Sequence, residues 1–226
     1  MESELYVEQI EIGPMRNFVY VVGSRTTREV ALVDPAWDVP GLLEHLANQD
    51  LKLVAALVTH FHPDHVGGSF GAQPIQGLAE LMSRNPVKVY ANRHEAEGVK
   101  KVTGVSEGDL VKVDSGEKLK LGEVEIEFLH TPGHTPGSQC FRVKDALVSG
   151  DTLFIEGCGR VDLPGSDPEQ MYYSLGKLRD LPDDTVLLPG HNYSGVPNAR
   201  MGDVKAHNSY MRIRDLAEWQ RLMGRR

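Results

Sequence analysis

A chain of 226 residues with 40% hydrophobic and 25% charged residues is long enough to bury a sizeable core and has ordinary globular composition. Its net charge of −8 disfavours a nucleic-acid binder that grips phosphates with a basic face, and no apolar run reaches the length of a membrane span. The start Met1-Glu2-Ser3-Glu4 lacks the basic and apolar regions of an export signal, and two cysteines, Cys140 and Cys158, make no disulfide framework. A single cytoplasmic domain over residues 1–226 is expected, with a short helical tail from about 203 and no nucleic-acid or membrane partner.

From Leu5 to Val33 the pattern reads strand, turn, strand, turn, strand. Gly13-Pro14 breaks the first pair, Phe18 to Val22 is a continuous buried run, and Arg25 to Glu29 is a polar hairpin loop. Val30 to Val33 runs into Asp34-Pro35, where the carboxylate is expected to cap the following turn. Residues 39–49 carry a helical face of Leu42, Leu43 and Leu46, with His45 beside it in a structural role. Leu53 to Val58 is another buried strand, so this passage is β-α-β.

A helix over 76–84 is stopped by Asn85-Pro86, a short strand covers 87–90, and a helix over 93–101 carries His94 on a solvated face. Residues 110–113, 119–121 and 124–129 alternate as strands, and 141–143 with 146–148 make a hairpin. A helix over 167–180 opens Asp-Pro-Glu, with Asp167 as N-cap, and 186–188 is the last strand. Residues 200–226 hold seven Lys or Arg against three Asp or Glu, and Ile213, Leu216, Trp219, Leu222 and Met223 mark one amphipathic helix over 209–223.

The chemistry concentrates in Thr59-His60-Phe61-His62-Pro63-Asp64-His65-Val66-Gly67-Gly68, directly after the strand ending at Val58. Imidazole and carboxylate together suit a divalent metal, and residues two apart on extended backbone point the same way, so His60 and His62 can grip one ion. Pro63 bends the chain, which turns Asp64 and His65 toward a neighbouring position where a second ion fits.

Later strand ends supply more ligands. His134, between two X-Pro-Gly units, is the third ligand of the first ion, whereas His130 is structural or supports the site from behind. Asp151 follows a strand and a glycine and can reach between two ions, and His191 closes the set. Gly157-Cys158-Gly159-Arg160 forms a permissive loop with Arg160 as an anion contact, and Cys158 reads as a small buried thiol ahead of a nucleophile.

With T-H-x-H-x-D-H, T-P-G-H-T-P-G, G-D-T-L-F and P-G-H-N-Y in this order, the chain resembles the metallo-β-lactamase superfamily over most of its length. The resemblance implies an α/β fold, an αββα sandwich of two mixed sheets packed face to face with helices outside and metals at one sheet edge. It implies that His60, His62 and His134 hold one metal, that Asp64, His65 and His191 hold the other, and that Asp151 bridges.

The closer likeness is to glyoxalase II, the hydroxyacylglutathione hydrolases, through Gly150 to Phe154 and Gly157 to Arg160. This implies hydrolysis of a small-molecule thioester by a metal-bridging hydroxide, with Asp64 and Asp151 as catalytic carboxylates and two divalent ions. Zinc is expected, with iron or manganese as other options. Arg160, Tyr193 and Lys205 are the candidate substrate contacts, and a monomer or homodimer is expected. A second likeness, through Gly159-Arg160-Val161-Asp162 and Lys205 to Asn208, is to the persulfide dioxygenases, which implies a single Fe(II) and a thiol-derived persulfide as substrate. The stretch from Ser69 to Pro86 resembles neither branch.

Overall fold

The computed structural model describes residues 4–223. Strands β1 (Leu5–Ile12), β2 (Asn17–Ser24) and β3 (Glu29–Val33) form an antiparallel meander. Every residue of β2 is buried, and strand alternation explains it: Phe18, Tyr20 and Val22 enter one hydrophobic cluster while Val19 and Val21 enter another. A strand apolar on both faces must be covered on both, and this one is.

After β3 the chain runs through helix α1 (Val39–Asn48) into β4 (Lys52–Leu57), the one-turn helix α2 (Pro63–Val66) and the small hairpin β5 (Gly68–Phe70) and β6 (Gln73–Ile75). Helix α3 (Leu78–Arg84), strand β7 (Lys88–Asn92), helix α4 (Ala96–Thr103) and strand β8 (Leu110–Val113) follow. The first sheet has the order β1-β2-β3-β4-β7-β8, and it turns parallel from β3 onward because helical crossovers join its later strands.

The second half builds β9 (Lys118–Leu121), β10 (Val124–His130), β11 (Gln139–Val143) and β12 (Ala146–Gly150), then helix α5 (Pro168–Arg179) and strands β13 (Val186–Pro189) and β14 (Ala199–Arg200). The second sheet has the order β14-β13-β12-β11-β10-β9, with β12 and β13 parallel. Helices α6 (Met201–His207), α7 (Ser209–Arg212) and α8 (Leu216–Met223) end the described chain.

Three apolar clusters give the layers. Phe18, Tyr20, Leu57, Phe128, Phe141 and Val148 meet between the sheets. Leu32, Leu42, Leu46, Leu78, Leu81 and Val99 join the outer face of the first sheet to α1, α3 and α4. Leu147, Leu187, Met171, Leu175, Met211 and Trp219 join the second sheet to α5, α7 and α8. The result is the expected αββα sandwich, with two mixed sheets and helices on both outer faces. Among the described residues no helix is long and apolar enough to cross a membrane.

The expected single helix over 209–223 is corrected to two. Asn208 caps α7 by accepting from Tyr210 N and Met211 N, Ile213 is extended, and Asp215 accepts from Glu218 N to start α8 anew. Two side-chain caps within one stretch defeat the continuous periodicity. His94 is exposed, as expected, although it stands in the turn before α4 and not within the helix, with its ring stacked on His130 at 5.4 Å. His45 holds the structural role expected, 3.0 Å from Glu8 Oε2.

Candidate metal centre

The first ligand loop follows β4. His62 is extended, and with Pro63 in the first helical position its carbonyl accepts from His65 N at 2.9 Å and Val66 N at 3.1 Å, closing one turn. That turn carries Asp64 and His65 away from the face shared by His60 and His62. Gly67, at φ +84°, ends it; a Cβ there would stand 2.6 Å from Gly77 Cα.

The remaining groups arrive from the second sheet. His134 lies in the loop between β10 and β11, Asp151 directly after β12, and His191 just past β13. All seven sequence-predicted ligands are thus brought to one end of the sandwich. His134 Nε2 is 3.0 Å from His62 Nδ1, and His65 Nε2 is 3.1 Å from His191 Nε2. Asp64 Oδ2 stands 3.3 Å from His65 Nε2 and 3.4 Å from His191 Nε2. Asp151 lies between the two groups: Oδ1 is 3.4 Å from His65 Nε2, while Oδ2 is 3.4 Å from His191 Nε2 and 3.7 Å from His134 Nε2.

Hydrogen bonds behind the rings decide which nitrogens face the centre. His134 Nδ1 donates to Arg160 O at 2.8 Å and His191 Nδ1 to Met15 O at 3.0 Å. His65 Nδ1 lies 2.9 Å from Asp34 Oδ2. Thr59 Oγ1 gives its proton to Asp34 Oδ2 at 2.5 Å, so it accepts from His60 Nδ1 at 3.0 Å. Each of these acceptors fixes the proton on the rear nitrogen and leaves the Nε2 lone pair pointing inward when the ring is neutral.

Converging lone pairs call for a cation. His60 Nε2 and Asp151 Oδ1 are buried with no hydrogen-bond partner, a cost of roughly 1–3 kcal/mol for each such group. The donors are all imidazole nitrogen and carboxylate oxygen, a set that fits zinc or iron. His60, His62 and His134 form one possible metal-binding group and Asp64, His65 and His191 another.

Burial holds His60 and His62 below the ordinary imidazole value, His62 at about 4, so both are neutral and free to ligate near pH 7. Burial also opposes charge on His65 and His191, but Asp64 and Asp151 outweigh it and raise both, His191 to about 9. Burial would raise Asp64 and Asp151 as well; the facing histidines hold both carboxyls well below the usual range.

Asp34 corrects an expectation. Its carboxylate does not cap the next turn; it accepts from Thr59 N at 2.8 Å and Thr59 Oγ1 and meets His65 Nδ1. Its left-handed backbone, φ +52°, aims the side chain inward from the end of β3, a conformation Asp tolerates better than most residues. Through Thr59 it sets the tautomer of His60, and directly that of His65. Asp34→Asn should therefore lower metal affinity about 10–100-fold. Competition against a calibrated chelator measures it, and unchanged affinity would contradict this role.

Two more supports went unread in the sequence. Asn17 donates from Nδ2 to Asp64 Oδ2 at 2.9 Å and is itself oriented by Trp37 Nε1 at 3.0 Å. Glu95, buried just before α4, accepts from Phe61 N, Thr135 Oγ1 and Gly137 N at 2.7, 2.8 and 2.7 Å, and so ties the two His loops together. A polar residue at the end of an inner strand was the signal available for both Asp34 and Asn92-Arg93-His94-Glu95.

A cavity of about 650 Å³ opens on Asp64, His134, Asp151 and His191. Arg160 and Tyr193 line it. The Tyr193 ring stacks on His191 at 4.5 Å, and the Arg160 guanidinium bonds both oxygens of Asp162 at 2.9 Å. Lys205, the third expected substrate contact, is absent from the wall: its Nζ donates to Leu181 O and to Asp183 Oδ1, the latter at 2.7 Å. Helix α6 turns it toward the start of β13, and the expectation is corrected.

Two facing mixed sheets under helices, with His and Asp groups gathered at their strand ends, define a metal-binding αββα class. Residues 12–191 match the metallo-β-lactamase superfamily, and the chain belongs to it. It is 30% identical over 198 residues to a probable polyketide biosynthesis zinc-dependent hydrolase, BaeB, of Bacillus velezensis, covering 87% of this chain and 82% of that protein. It is 38% identical over 191 residues to the probable hydroxyacylglutathione hydrolase glo2 of Schizosaccharomyces pombe, covering 80% of this chain and 66% of that longer protein. Its structure is similar to that of ETHE1 from Myxococcus xanthus, with a TM-score of 0.80, 30% identity, and coverage of 97% of this chain and 90% of the other. The glyoxalase II-like likeness with persulfide dioxygenase features is borne out by these relatives.

Proposed function

We propose that the chain is a metal-dependent hydrolase of small-molecule thioesters. In this reading His60, His62 and His134 hold one divalent ion, Asp64, His65 and His191 hold a second, and Asp151 belongs to both. The observation that supports it most is the Asp151 carboxylate lying within 3.4–3.7 Å of ring nitrogens from both groups. The similarity to hydroxyacylglutathione hydrolases and to a zinc-dependent hydrolase points the same way.

Divalent ions bound there supply Lewis acidity and lower the pKa of water toward neutrality. The protein's own groups do the rest. Asp64, its Oδ2 fixed by Asn17, orients the attacking water, and the cavity presents the acyl carbon beside Asp64 and Asp151. The water oxygen bonds to the acyl carbon, the carbon–sulfur bond breaks, and the two water protons end on the released acid and thiol. A thiol with pKa of about 8.5 leaves readily as thiolate.

A second reading, a persulfide dioxygenase with a single Fe(II) held among His60, His62, His134 and Asp151, is favoured by the match to ETHE1 along nearly the full length of both chains. Elemental analysis separates the two, on protein made without added metal and purified under argon. Near two ions per chain, mainly zinc, is the expected result; near one iron, with oxygen uptake on glutathione persulfide, would overturn the hydrolase.

A further inference from the structure

The cavity that leads to the metal centre has a wall unlike a site for an ionic substrate. Phe70, Phe154, Ile155, Leu163 and Tyr193 line it. Phe154 and Tyr193 pair edge to face at 5.3 Å, and Phe70, on the β5–β6 hairpin at the rim, is 63% exposed although it is a large apolar ring. Such an exposed aromatic beside a cleft gains from being covered by an apolar ligand.

The charges on that wall argue in the same direction. Among the described residues Arg160 is its one Lys or Arg, and both oxygens of Asp162 already engage it. Glu156 adds an exposed carboxylate to the lining. Lys205 is held elsewhere by Leu181 and Asp183. A glutathione thioester brings two carboxylates, and the lining offers them one guanidinium, exposed and already shared with Asp162, so they gain little there over staying in water.

We propose that the substrate is an uncharged thioester with an apolar acyl chain of several carbons, carried on a thiol arm without carboxylates, in preference to a glutathione thioester. The inference rests on the hydrolase reading for the bond that breaks; the preference for an apolar, uncharged ligand rests on the cavity wall. The acyl chain lies along Phe70, Ile155 and Leu163, and the carbonyl carbon sits at the Asp64 and Asp151 end.

The test uses the full chain loaded with metal. Rates are compared for acetyl, butyryl and octanoyl thioesters of N-acetylcysteamine, a neutral thiol, and for lactoyl and octanoyl thioesters of glutathione. Each added methylene should raise kcat/KM about two- to fourfold, the upper value being what burial of one methylene corresponds to. For the same octanoyl group the neutral arm should match or exceed glutathione. Phe70→Ser should lower the octanoyl rate about tenfold more than the acetyl rate, the size expected for removing an apolar contact.

Binding of S-octyl-N-acetylcysteamine and S-octylglutathione, thioethers that cannot be hydrolysed, is measured alongside by calorimetry, with the neutral ligand expected to bind more tightly. Flat chain-length dependence, or tenfold better turnover and binding with glutathione, would overturn the proposed substrate class. No turnover of any thioester by fully loaded protein would overturn the hydrolase reading. The thioether comparison then decides the ligand preference by itself.

Discussion

Asp151→Ala should abolish turnover and lower metal content together. Among the described residues Asp151 is the one carboxylate whose two oxygens face ring nitrogens of both His groups, so its loss removes negative charge from each position at once. Losing an outer partner of a metal ligand costs about 10–100-fold, and a group shared by two positions should cost more, about 10³-fold or beyond. Gly190 packs against the carboxylate, where a Cβ would stand 2.3 Å from Asp151 Oδ1. Steady-state rates and elemental analysis on the same preparation test this. An active Asp151→Ala protein with full metal content would sink the proposed assignment.

The second large effect is expected at Glu95. Three donors from two separate loops converge on its carboxylate, and truncation to alanine leaves the amides of Phe61 and Gly137 without an acceptor in a buried place. Thr135 keeps a partner in Ser138, at 2.7 Å. Two orphaned amides cost about 1–3 kcal/mol each, and for a chain of this size that corresponds to a fall of roughly 5–20 °C in Tm. Loosening the loops also misaligns His62 against His134, so kcat should fall with stability. A melt that matches the wild type would contradict the clamp.

Glu95→Gln gives a pH signature as well. Burial pushes the Glu95 carboxyl up to about 7 despite its three donors. With the folded value above the unfolded one of about 4.5, the folded state binds more protons between those values, so the Glu95 contribution is full below about pH 4.5 and is lost as pH rises to about 7. Gln cannot titrate, and its NH₂ must face either the Gly137 amide or the Phe61 and Thr135 donors, a cost independent of pH. The stability deficit of Glu95→Gln against the wild type should therefore be largest near pH 4.5 and shrink toward pH 7. Denaturant midpoints for the two metal-free proteins across that range measure it; a deficit constant with pH would show that Glu95 ionises at its ordinary value.

The ligand loops were legible because their chemistry is local. His60, His62, Asp64 and His65 lie within six residues, and the Pro and Gly that shape their turn stand among them, so spacing alone says which side chains converge. His134, Asp151 and His191 were each marked by a strand end and a glycine. The supports behind these ligands carry no such mark. Asp34 acts on His65 across 31 residues and Glu95 on Gly137 across 42, and each sits in a stretch that reads equally well as a capped turn or a solvated helix start.

What the sequence by itself determined, then, is the alternation that buries β2 on both faces, the helix stops, and the cluster of imidazoles and carboxylates, because periodicity and turn chemistry act over a few residues. Only the tertiary structure decided which strand ends meet, and with them the tautomers of His60 and His65, the clamp at Glu95 and the apolar wall of the cavity. Sheet order made those choices, since hydrogen bonds between residues distant in the chain exist only once β3, β4 and β7 lie side by side. The same holds for Lys205, a candidate substrate contact by sequence, which the packing of α6 beside Asp183 sent elsewhere.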